Sequence, residues 1–126
     1  MPRPRVYVSG PISNGGTLQY EERLDNMYDA IDVGAELIKL GYAPLIPHLS
    51  VIIEHKYEGI DQDTWLAIDL PWVEAADALL RLPGASAGSD KEEAVALASG
   101  VPVYHSIEEL KAVSYTHLTL PTILLV

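Results

Sequence analysis

Over residues 83–93 the chain gathers its most reactive side chains into one small-residue run, Pro-Gly84-Ala-Ser86-Ala-Gly88-Ser89-Asp-Lys-Glu92-Glu93. Two motifs overlap there and assign the chemistry to different residues. Gly84-Ala-Ser86-Ala-Gly88 matches G-x-S-x-G, in which a sharp turn exposes a serine nucleophile for acyl transfer. A serine hydrolase of that type needs a histidine after the serine, which leaves only His105 and His117, and its usual fold needs a longer chain. Ser86-x-Gly88-x-x-x-Glu92 instead puts a carboxylate near a helix start, beside small residues that let a ligand approach the backbone. Helix-start N–H groups there can hold a phosphate or stabilise an ionised carboxylate. A third reading is structural: Ser89-x-x-Glu92 is also a capping box, in which the glutamate bonds back to the Ser89 N–H and has no catalytic duty.

The elements around this run are expected to alternate. Residues 5–9 are β-rich and stopped by Gly10-Pro11, so they read as a first strand followed by a glycine-containing loop to Gly16. Apolar residues at Leu24, Met27, Tyr28, Ile31, Ala35 and Ile38 repeat at helical spacing within 18–40, with Gly41 as a stop. The acidic residues Glu21, Glu22, Asp25, Asp29 and Asp32 form its solvated side. Residues 42–47 suggest a short second strand, which Pro44 assigns to a sheet edge. Residues 61–76 are helical in composition, with Trp65, Ile68, Trp72 and Ala76 on one face and Pro71 dividing or bending the helix. A third strand over 78–82, a helix over 89–99, a fourth strand over 101–104 and a helical piece over 106–112 follow. Strands separated by helices imply a parallel sheet, hence a single-domain flavodoxin-like or Rossmann-like three-layer α/β sandwich with four or five strands. In such a sheet ligands bind beyond the carboxyl ends of the strands, which directs attention to the loops starting at Gly10, Pro47, Pro83 and Tyr104.

Composition narrows the partners. The chain has 126 residues, 48% of them hydrophobic and 21% charged, as expected for one folded domain. A formal charge of −10 argues against a nucleic-acid polymer, whose binding relies on Lys and Arg displacing counterions. A single small nucleotide can still be held by local N–H groups. Cysteine is absent, which removes thiolate metal sites and cysteine nucleophiles and favours a reducing compartment; the expected localisation is cytoplasmic. No run approaches the roughly 20 apolar residues that span a bilayer, so no membrane partner is expected. Residues 113–126 look like the translated adaptor of a transposon-based sequencing library, which makes 1–112 the expected native domain and excludes His117 from functional argument. The alternative is a genuine fifth strand over 122–126.

Three stretches, Tyr7-Val-Ser9-Gly10-Pro-Ile12, Asp69-Leu-Pro-Trp72-Val-Glu-Ala-Ala-Asp77 and Ser86-x-Gly88-x-x-x-Glu92, occur in order and at comparable spacing over residues 5–104. Together they resemble the nucleoside 2-deoxyribosyltransferase superfamily, including its 2′-deoxynucleoside 5′-monophosphate N-glycosidase branch. The resemblance implies cleavage of an N-glycosidic bond, with Glu92 as nucleophile, Tyr7 as the tyrosine beside it and Asp69 as the active-site aspartate. It implies a substrate site built from Ser9, Gly10, Ile12, Ser13, Ser86, Gly88 and Ser89; His48, which follows the second strand, is independently expected on the pocket rim. Ser86 stands where the monophosphate branch has a phosphate-binding serine, whereas Ser13 stands where that branch has an arginine. The family assembles as dimers or larger, so a homo-oligomer is expected. The chemistry fits these residue types: a carboxylate beside C1′ can trap the oxocarbenium-like sugar as a covalent glycosyl-enzyme, and a second acid/base group serves the leaving base. No metal or organic cofactor is needed.

Other readings of the same residues stay open here. Glu93 is the alternative nucleophile if the register is shifted by one, and Asp77, at the wrong end of its strand, reads as structural. Tyr7 can equally be core. His48 and His55, seven apart, share a helical face and could form a metal pair, although no third ligand is evident. Trp65 and Trp72 read as core or as an oligomer face, with base stacking as a further option. A nucleotide-sensing module that uses the same loops without chemistry is the rival function, since a fold does not guarantee activity.

Overall fold

Along β1 (Arg5–Ser9) side chains alternate between the two faces of the sheet, and every residue after Arg5 is buried. Val6 and Val8 join one core cluster while Tyr7 joins the other. The computed structural model describes residues 2–117. Within them β1 pairs in parallel with β2 (Ala43–Leu45) and β3 (Ala78–Arg81), and β3 pairs in parallel with β4 (Val103–Tyr104), giving the order β2-β1-β3-β4. The proline-containing strand β2 is at the edge, where a missing N–H leaves no central ladder bond unmade.

Among the described residues helices cover both faces, completing a flavodoxin-like three-layer sandwich. Helix α1 (Tyr20–Lys39) supplies Ala30 and Leu37, and α5 (Ile107–His117) supplies Leu110, to the cluster around Val6, Val8 and Leu80. On the opposite face α3 (Gln62–Ala75) and α4 (Ala87–Ala98) bring Val73 and Ala96 against Tyr7 and Leu79. A short helix α2 (Ser50–Lys56) follows a 3₁₀ turn at Pro47–Leu49 in a region read from sequence only as a loop. Among the described residues no helix is long and apolar enough to cross a membrane.

Several local expectations change. The buried stripe of α1 is Met27, Ala30, Gly34 and Leu37; Met27 is buried as expected, but the others lie one position round from the expected Ile31, Ala35 and Ile38, and Tyr28 and Ile38 are more than half exposed. Packing distance explains the rotation: a Cβ on Gly34 would stand 2.3 Å from Ile46 Cδ1, so the small-residue side of the helix is the one that can approach. Helix α3 runs unbroken through Pro71; of the residues expected on one face, Ala76 packs against the second core cluster while Ile68 and Trp72 are 45% and 57% exposed. Helix α5 continues past Ala112 to His117, with Val113 packed against the first core cluster. The adaptor-like segment at 113–126 thus starts inside a helix, and the alternative strand over 122–126 lies outside the described residues.

Candidate active site

Two glycines let the loops after β1 and β3 interlock. A Cβ on Gly10 would meet Leu82 Cβ at 2.9 Å, and one on Gly84 would meet Pro11 Cγ at 2.8 Å. Gly84 also has φ +112°, a conformation that side chains other than glycine rarely adopt. The Leu82 N–H donates to the Ser9 carbonyl at 2.7 Å, so the end of β1 and the turn leading to α4 are fixed to each other.

Helix α4 begins earlier than its sequence suggests, and this changes what Glu92 can do. Ser86 is the N-cap: its Oγ accepts the Ser89 N–H at 3.1 Å. The Ser89 N–H is thereby taken, Glu92 falls in the second turn, and the Ser89-x-x-Glu92 capping box does not form. The Glu92 carboxylate is instead held by the sheet. Tyr7 Oη donates to Oε2 at 2.5 Å and Ser9 Oγ donates to Oε1 at 2.8 Å. These donors lie two apart on β1 and so share the face toward α4. Tyr7 is both core and partner, since its ring is 1% exposed in the second cluster while its hydroxyl reaches Glu92. The neighbouring Glu93 faces elsewhere, bound by Arg81 at 3.1 Å and within 3.4 Å of His105. Asp77 accepts the Arg5 N–H at 2.7 Å, at the start of β1, away from this cluster.

Burial and charge separate the two carboxylates. Burial raises the Glu92 pKa above the usual carboxylate range, but the hydrogen bonds from Tyr7 and Ser9 and the charge of Arg81 all favour its anion. Asp69, on α3, has no such donors; burial, reinforced by the charge of Glu92, pushes it up to about 7. Tyr7 is raised by burial and by both carboxylates, so it stays a protonated donor. Two carboxyl groups in unlike surroundings, one with donors on both oxygens and one without, are an arrangement that can serve as a nucleophile and acid/base pair.

The two carboxyl groups open on a cavity of about 380 Å³. Of the residues singled out from sequence, Gly10, Ile12, Ser13, Ser86, Gly88 and Ser89 line it with Asp69 and Glu92, whereas Tyr7 and Ser9 stand behind Glu92 as its donors. His48 is not on the rim. The 3₁₀ turn that starts at Pro47 directs its ring inward, where it is fully buried. Burial lowers its pKa to about 4; the carbonyls of Gly10 and Pro11 favour protonation without either ring nitrogen closing a hydrogen bond. His55 stacks on Tyr20 at 3.9 Å, and among the described residues no group of three or more His, Asp or Glu could hold a metal. Among the described residues no histidine lines the cavity beside Ser86, the position a serine hydrolase's base would take.

Sequence reasoning missed one wall. The first turns of α3 contribute Gln62 and Trp65, and Gln62 Nε2 donates to Ser13 Oγ at 3.0 Å. Trp65, read as core or an oligomer face with base stacking as a further option, lines the cavity with its Nε1 buried and unpartnered. Polar residues on a helix start give no periodic signal, which is why this wall was not found. The loop at Tyr104 contributes nothing to the lining. Comparison with family models, with curated proteins and with solved structures finds no match for this chain.

Proposed function

We propose that the protein cleaves the N-glycosidic bond of a 2′-deoxynucleoside or its 5′-monophosphate through a covalent intermediate on Glu92. The observation that carries this reading is a buried carboxylate, with both oxygens held by Tyr7 and Ser9, facing a cavity that is also lined by Asp69, whose pKa burial pushes up to about 7. A binding module gains nothing from two carboxyl groups with divided protonation, whereas glycosyl transfer uses both. In the first step a Glu92 oxygen bonds to C1′ as the C1′–N bond breaks; the electron pair leaves with the base, and Asp69 supplies its proton. In the second, water or another base attacks C1′, Asp69 takes the proton and Glu92 is released. The exposed Ile68 and Trp72 on α3 support a homo-oligomer.

Incubation with deoxynucleosides, their monophosphates and the matched ribo compounds, followed by chromatography, tests the reading. Free base is expected from the deoxy compounds, because without the electron-withdrawing 2′-OH the oxocarbenium-like transition state forms more easily. Comparable turnover of AMP and dAMP defeats the deoxy assignment; binding with no base release from any compound favours a sensor.

Ser86 has two duties in this reading, and Ser86→Ala separates them. Loss of the N-cap should cost about 1 kcal/mol in thermal unfolding. If Ser86 also contacts a 5′-phosphate, KM for monophosphates rises while that for plain nucleosides barely changes.

A further inference from the structure

Arg81, the last residue of β3, takes no part in the chemistry above, yet its environment is unusual. Its side chain is only 11% exposed and makes three contacts within the nucleophile loop. Nη1 donates to Asp90 Oδ1 at 2.9 Å and to Glu93 Oε2 at 3.1 Å, and Nη2 donates to the Gly84 carbonyl at 3.2 Å. Asp90 and Glu93 flank Glu92 on α4, and Gly84 is the tight turn that enters the loop. In the sheet, Arg81 is the register partner of Ser9, whose hydroxyl holds Glu92.

We propose that Arg81 is a positioning residue: its guanidinium clasps the Gly84 turn to α4 on both sides of Glu92 and so fixes the carboxylate against its donors on β1. The backbone of Arg81 is set by Ser9, and its side chain sets the helix, so donor and acceptor are registered through one residue. A planar fork is suited to this because it reaches several acceptors in fixed directions, which an ammonium cannot. The charge acts in the same sense. Glu92 faces Tyr7 from β1, Asp69 from α3 and Arg81 from β3, with Asp90, Lys91 and Glu93 beside it on α4; Arg81 is the cation that favours its ionised form. This assignment rests on Glu92 being the nucleophile.

The test uses the full chain and reads Glu92 directly, by carboxyl-carbon NMR titration without substrate, alongside kcat and KM. In Arg81→Gln the Glu92 titration is expected to move up by roughly one pH unit, with the acid limb of kcat following it and KM little changed. Arg81→Lys guards against a Gln variant that does not fold. It keeps the charge but cannot hold all three acceptors, so the hydroxyl-proton resonance of Tyr7, bound to Glu92, should shift as that contact loosens, and Glu92 should titrate above its native position but below that in Arg81→Gln. A folded Arg81→Gln chain with an unmoved Glu92 titration overturns the proposal, as does an Arg81→Lys chain with an unmoved Tyr7 resonance. Neither NMR readout requires turnover, so an inactive native chain would count against the glycosidase reading and leave the Arg81 test intact.

Discussion

Glu92→Gln is expected to fold like the native chain and to lose at least ~100-fold in turnover, the scale seen when a group acting in the transition state is removed. The amide keeps the size of the side chain and one oxygen for Tyr7 or Ser9, but it cannot attack C1′. One of the two β1 hydroxyls loses its acceptor, a modest cost compared with the loss of rate. The variant also discriminates between mechanisms. A serine hydrolase would reverse the order, with Ser86→Ala inactive and Glu92→Gln near normal. A purely structural Glu92 would show a lowered unfolding temperature in Glu92→Ala with turnover per folded molecule intact. Near-native turnover in a well-folded Glu92→Gln chain removes the central claim. Glu93 would be a poor replacement, because Arg81 and His105 already engage its carboxylate.

The parts of this site that were legible in sequence are those where chemistry and backbone leave a local mark. Gly10-Pro11 and the small-residue run from Gly84 to Gly88 announce turns that only such residues permit, and both line or frame the cavity. The alternation of β1 could be seen as a pattern, but its parity could not. Whether Tyr7 and Ser9 faced Glu92 depended on which helices covered which face, a tertiary fact. The helix start at Ala87 was hidden because Ser86 and Ser89 are equally good caps, and the choice between them decides whether Glu92 is a cap partner or is free for Tyr7. The α1 face was misread for a related reason: apolar residues were counted, while Ala30 and Gly34 win the contact by being small. His48 was expected on the rim because it follows the second strand, and its burial depends on a 3₁₀ turn with no periodic signature.

Asp69→Asn is expected to reduce turnover by roughly 100-fold or more and, unlike most losses, to change the shape of the pH profile. In the proposed mechanism the first step needs Glu92 ionised and Asp69 protonated. With Asp69 near 7, the rate should fall as pH rises through that value and its acid is lost. The asparagine variant should lack this alkaline limb. Its acid limb should barely move, because Glu92 ionises while Asp69 is still protonated and uncharged. The deficit should shrink for substrates whose base leaves readily without a proton. Stability gives an independent readout with a defined sign. A folded-state pKa raised from 3.8 to about 7 means that the fold prefers the protonated acid, a contribution fully present below 3.8 and lost as pH rises through 7. Asp69→Asn is always neutral, so it should unfold at a higher temperature than the native chain at pH 8, with the gap closing toward pH 4. An asparagine variant that is less active but no more stable at pH 8, and that retains the alkaline limb, would show that the acid lies elsewhere in the cavity. A variant that gains stability and loses the limb together would tie both effects to the one buried carboxyl group.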